Sequence, residues 1–108
     1  MTSGRFDGLP RRRVLGRLVP VARGPRARLL GLSLLPRERA GPGLLIPRCR
    51  SVHTFGMRFA LDLLFLDRAG GVVAVRRAVP PRRFVAQRGA DAVLELPAQG
   101  GELARPRT

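Results

Sequence analysis

His53 is the only histidine in the chain, and imidazole is the one side chain that titrates near neutrality without help from its surroundings. Residues two apart along an extended strand share a face, so a strand here sets His53 beside Phe55 and Met57. The ring is then either packed at the core margin with both nitrogens bonded, or a general base or metal ligand. Cys49, the single cysteine, precedes it by four residues and invites a thiol and imidazole dyad. Four residues of strand span about 13 Å, so the dyad forms only if the chain turns between them. One His, one Cys and scattered carboxylates have no zinc-ligand spacing, and no metal is expected.

Asp62 opens the apolar run DLLFLD, on the face of Leu64 and Leu66. A carboxylate placed there needs a partner, and Arg58 is the nearest in sequence, through an ion pair or a turn-capping hydrogen bond. Glu95 lies between Leu94 and Leu96 on the face of Val93. It either points to solvent from a half-buried sheet or converges with Asp62 in a cleft where two carboxylates do acid–base work. His53, Arg58, Asp62 and Glu95 are therefore the candidate catalytic set.

A second set is basic. Arg76, Arg77, Arg82 and Arg83 flank Pro80 and Pro81, with Phe84 adjacent. A basic loop beside one aromatic ring suits single-stranded nucleic acid, held by phosphate contact and base stacking. The plainer alternative is a solvated basic surface. Arg58 joins these residues as a candidate binding group. No glycine-rich phosphate cradle of the P-loop or dinucleotide type occurs, and no cofactor is expected.

The elements that must position these groups are short. Residues 1 to 17 hold Gly4, Gly8, Pro10 and the triplet Arg11, Arg12, Arg13 with little apolar periodicity, and read as a mobile basic arm with order beginning near Leu18. Leu18 to Ala22 reads as a strand confined by Pro20 to a sheet edge or bulge. Arg26 to Leu35 has helical spacing and ends before Pro36. PRERAGPG (Pro36 to Gly43) is a loop, and Leu44 to Ile46 starts a run of strands. Ser51 to Met57, Asp62 to Asp67, Val72 to Val75 and Ala92 to Leu96 follow, and Arg68 to Gly71 has the length and glycines of a hairpin turn with a bulge. The fold class expected is mainly β, a small antiparallel sandwich or open barrel with one short helix, as a single domain over residues 18 to 101 and a disordered tail from residue 102.

All 21 basic residues are Arg, beside 13 Gly and 10 Pro, with no Lys, Asn, Tyr or Trp, the residue usage of a GC-rich coding sequence. Base composition accounts for Arg in place of Lys, but not for 21 cations against seven acids. The net charge is +14, and residues 1 to 54 carry 12 Arg against Asp7 and Glu38, leaving +10 in that half. Such a field attracts nucleic acid, acidic proteins and other polyanions in a salt-dependent way. Hydrophobic residues at 44% suffice for a core and argue against wholesale disorder. A lone cysteine calls for no oxidising compartment, the early apolar stretch is broken by Arg17, Pro20 and Arg23, and no run reaches the ~18 apolar residues of a membrane span. A cytoplasmic location with no export signal is the expectation.

The segment HTFGMRFALDLLFLDRAGGVV, His53 to Val73, resembles the signature of the domain of unknown function 192 family. The elements that carry the likeness are Met57, Arg58, Leu61, Asp62, Phe65, Asp67 and Gly70. Gly31 and Leu32 resemble the family's Gly-Leu helix, Gly43 to Ile46 its apolar strand, and AVLELPAQGG its Val-Leu-Glu-Leu strand with Glu95 at the matching place. The likeness runs from about Leu18 to Gly101 and implies a mostly antiparallel β domain with a short helix. It implies no named activity, because the family is uncharacterised. Ala60 stands where Pro is expected, Ser33 and Leu34 replace Met and an aromatic, and the tail ELARPRT lacks the closing turn and strand, which leaves one sheet edge open to another chain.

Together these features point to a non-catalytic binding or accessory module whose basic surface meets an anionic partner. The alternative is an enzyme of unstated reaction, built on His53, Arg58, Asp62 and Glu95, and convergence of those four side chains on one pocket is the discriminating observation.

Overall fold

Leu15 and Gly16 both have positive φ, 49° and 83°, the backbone of a tight two-residue hairpin turn whose twist matches its flanking strands. They join strands β1 (Arg11–Val14) and β2 (Arg17–Pro20), with Arg12 opposite Val19 and Val14 opposite Arg17. The computed structural model describes residue 6 and residues 8–98. The basic triplet Arg11 to Arg13, expected in an irregular segment, lies in β1 and pairs with β2. One buried side chain, Val14, gives β1 too weak an alternation to read in sequence. The expectations for residues 1 to 5 and for the tail from residue 102 lie outside the described residues.

After β2, Val21 bridges Leu45 in parallel and Ala22 N–H donates to the Leu45 carbonyl. Pro25 then sits in the first turn of helix α1 (Gly24–Leu30), where its missing N–H costs nothing. The helix stops five residues short of the expected Leu35. Gly31 has φ 53°, and a Cβ there would lie 2.7 Å from Glu95 Oε1, so only glycine lets the chain leave the helix at this point. A 3-10 turn at Arg37–Arg39 leads to β3 (Leu44–Pro47), β4 (Ser51–His53), β5 (Leu61–Leu66), β6 (Val72–Val79), β7 (Phe84–Ala86) and β8 (Ala92–Pro97).

Three antiparallel sheets result: β1-β2, the central β3-β8-β5-β6, and β4-β7. They are open, the architecture is mainly antiparallel β, and α1 is the one α-helix among the described residues. The central sheet is covered on both faces. Leu44, Ile46, Leu61, Leu63, Phe65 and Val93 meet Ala27, Leu32, Val52 and Met57 on one side. Leu45, Leu66 and Leu94 meet Val14, Val19 and Val21 of the first hairpin and its extension on the other. Double coverage is why β5 reads as a nearly unbroken apolar run.

The expected hairpin forms between β5 and β6. Asp67 Oδ1 accepts from the Ala69 and Gly71 N–H groups at 2.9 and 2.8 Å and organises the turn. The strand expected over Ser51 to Met57 is shorter: β4 ends at His53, and Met57 N–H closes a turn onto the Thr54 carbonyl. Among the described residues no helix is long and apolar enough to cross a membrane.

Candidate functional site

Thr54 is wholly buried, and its hydroxyl donates to the Pro80 carbonyl at 2.7 Å while accepting from Arg83 N–H at 2.8 Å. Its backbone N–H also donates to the Arg83 carbonyl. These bonds fix the Pro80 to Arg83 connection, which cannot join a ladder through its prolines, and so set β7 beside the end of β6. Between them lies a groove of about 400 Å³ lined by Arg76, Arg77, Arg83 and Phe84 over Val75 and Val85. Phe84 is 69% exposed, the most exposed of the five phenylalanines. Arg76 donates to Gln87 Oε1 at 2.9 Å, and Arg83 reaches the Pro81 and Arg82 carbonyls. Four of the candidate binding residues thus meet in one groove. Arg58 and Arg82 are exposed but do not line it.

The candidate catalytic residues do not meet. Asp62 stands opposite Leu96 and Glu95 opposite Leu63, so the two carboxylates project from opposite faces of the central sheet. Asp62 is 4% exposed and accepts from Ala78 N–H at 2.8 Å. Its ion-pair partner is Arg77 at 3.6 Å rather than Arg58. The reason lies in β6: the ladder slips between Leu61 and Leu63, Ala78 adopts φ 52°, and the bulge turns its N–H onto the carboxylate.

Glu95 does not face solvent. It is buried on the helix side of the sheet, and Leu32 N–H, released where α1 ends, donates to Oε1 at 3.2 Å. Burial pushes its pKa up to about 7, opposed by that one hydrogen bond. His53 Nδ1 accepts from Phe55 N–H at 3.2 Å, and Nε2 lies 3.2 Å from the Leu29 carbonyl, a pattern that calls for the Nε2–H tautomer. Its ring packs near Phe55 at 6.0 Å between centroids, while Met57 turns into the core. The Cys49 thiol donates to the Ser51 carbonyl at 3.0 Å, and among the described residues it makes no hydrogen bond with His53. Among the described residues no group of three His, Cys, Asp or Glu is placed to hold a metal ion.

The family described as DUF192, Uncharacterized ACR, COG1430, matches residues 11–104. The chain belongs to the DUF192 family. A UPF0127 protein from Thermococcus sibiricus is 34% identical over 74 residues, 65% of this chain and 48% of the relative, so the chain spans about half the length of that curated relative. A crystal structure from Sinorhizobium meliloti 1021, named a "putative transcription regulator", superposes with a TM-score of 0.65 at 25% identity, covering 75% of this chain and 68% of that one. A protein of unknown function from Novosphingobium aromaticivorans DSM 12444 shares the fold with a TM-score of 0.65 at 16% identity, over 96% and 91% of the two chains.

Most of the residues through which the sequence resembles the family fill the core or hold backbone N–H groups. Met57, Leu61 and Phe65 fill the core, Asp62 holds a bulge, Asp67 caps a turn, and Glu95 holds the end of α1. Thr54 escaped the sequence reading because a lone threonine in a presumed strand looks like any other strand residue. The one available signal was the Pro80 and Pro81 pair, which lacks N–H donors and so cannot continue a ladder.

Proposed function

We propose that this DUF192 domain is a non-catalytic binding module whose β6–β7 groove takes an anionic partner, single-stranded nucleic acid being the partner that fits best. The observation that carries the reading is the meeting of Arg76, Arg77 and Arg83 with exposed Phe84 in one groove. Guanidinium groups grip phosphates, and an exposed ring on an apolar floor is a stacking platform that accepts any base. Pairing of Arg77 with Asp62 leaves that cation mostly exposed, so it stays available to a second anion. The net charge of +14 supplies long-range attraction. The name of the Sinorhizobium relative lends support to the nucleic-acid form of this reading.

Fluorescence anisotropy with single-stranded and double-stranded oligonucleotides and heparin, titrated with salt, tests the reading. Single-stranded binding that survives about 0.2 M salt and exceeds heparin binding is expected, because stacking is not screened. Phe84→Ala should weaken single-stranded binding about 5- to 100-fold with the salt slope unchanged, whereas Arg83→Ala should lower the slope by about one. Equal, salt-erased binding to all three polymers would overturn it.

A further inference from the structure

A second cleft, of about 590 Å³, opens between the tip of the β1–β2 hairpin and the turn that joins β5 to β6. It shares no lining residue with the β6–β7 groove, being at the turn end of the β5–β6 hairpin where the groove follows the other half of β6. Its size falls within the range of pockets that enclose small molecules.

Four guanidinium-bearing residues, Arg12, Arg13, Arg48 and Arg68, come to this cleft from three separate stretches of chain. An arginine-rich composition explains their number but not their meeting. None of the four is ion-paired, since Arg77 with Asp62 is the one ion pair among the described residues. Two carboxylates, Asp67 and Asp91, also line the cleft. Asp67 Oδ1 is engaged by the Ala69 and Gly71 N–H groups, and four guanidinium groups outnumber the two carboxylates. Arg48 is held from behind: Arg28 of α1 donates to the Pro47 and Arg48 carbonyls at 2.6 and 3.1 Å, clamping the chain where Arg48 adopts φ 50°. The basic rim is thus partly built on a fixed backbone.

The floor is apolar. Val14, Leu45, Leu66 and Ala92 lie beneath the arginines as part of the cluster between the hairpin and the sheet, and Leu15 stands 54% exposed at the edge. Cations around an apolar floor select a ligand that is anionic at one end and apolar at the other. The planar guanidinium fork matches the oxygens of a phosphate in pairs. We infer that this cleft is a binding site for a small phosphate monoester carrying an apolar or aromatic body, separate from the polymer-binding groove.

Phenyl phosphate, inorganic phosphate and phenol, each titrated into the ¹⁵N-labelled full chain and followed by amide chemical shifts, test the site. Phenyl phosphate should move the amides of Arg12 to Leu15 and Arg68 to Gly70 to saturation, with affinity at least about fivefold above inorganic phosphate because the ring reaches the floor. Phenol should move none of them. The double variant Arg12→Ala/Arg68→Ala should weaken phenyl phosphate by about tenfold or more, while Arg83→Ala in the other groove leaves it unchanged. Arg12 and Arg68 are exposed, and Arg68→Gln, which removes the charge but keeps a polar side chain, serves as the second variant. Shifts confined to Arg76 to Val85, or an affinity that neither Arg68→Gln nor the double variant alters, would overturn the proposal while leaving the groove reading intact.

Discussion

Asp62 and Glu95 occupy adjacent rungs of the β5–β8 ladder and point to opposite faces, Asp62 across from Leu96 and Glu95 across from Leu63. The sheet between them keeps either carboxylate from assisting the other. Each instead holds a backbone N–H that its neighbourhood leaves over, Ala78 at a bulge and Leu32 at a helix end.

Asp62→Ala leaves the Ala78 N–H without its acceptor in a part-buried bulge held at φ 52°. A loss of about 2 to 4 kcal/mol is expected, read by urea denaturation. Arg77→Ala should cost under about 1 kcal/mol, because its side chain is 69% exposed and the pair is screened by water. Equal losses for the two substitutions would place the contribution in the ion pair instead.

Glu95 has a folded-state pKa of about 7 against a reference of 4.5. The folded protein therefore binds more protons than the unfolded chain between these values, and stability falls as pH rises through that window. The expected loss is a few kcal/mol from pH ~4.5 to pH ~7, with a plateau above. Glu95→Gln keeps an acceptor for Leu32 N–H and removes the charge, so the variant should be flatter across that range and more stable than the parent at pH 8. Parallel pH profiles for parent and variant would show that the carboxyl ionises at no cost.

Thr54→Val keeps the shape of a fully buried residue and removes a hydroxyl bonded to Pro80 and Arg83. Global stability should drop by about 1 to 3 kcal/mol, since the Arg83 N–H and Pro80 carbonyl are left unsatisfied. Amide exchange should quicken first at Arg82 to Val85, and single-stranded binding should weaken through loss of the Phe84 position. Uniform exchange throughout the chain, with binding intact, would show that Thr54 does not position the groove.

Local features carried much of the fold. The two apolar runs and the turn residues of LDLLFLDRAGGVVAV are enough for a hairpin, because a five-residue link with an Asp and two glycines has few ways to close. Pro25 and Gly31 mark a helix start and stop, although helical spacing continues past Gly31 to Leu35, because the reason for stopping sits on another strand. A carboxylate inside an apolar strand was visible as a group in need of a partner at both Asp62 and Glu95. The β1 and β7 strands were not legible, since each offers one or no buried side chain to set a period.

By itself, then, the sequence determined the class of fold, the central hairpin, the basic excess and the two carboxylates that had to be satisfied. Tertiary structure decided who satisfies them and which arginines meet. Glu95 finds its donor 63 residues away at Leu32, Asp62 takes one 16 residues ahead in preference to an arginine four behind, and β6 and β7 become neighbours through Thr54. Side-chain period assigns a residue to a face, but which backbone N–H waits on that face depends on bulges and helix ends set by packing between distant segments.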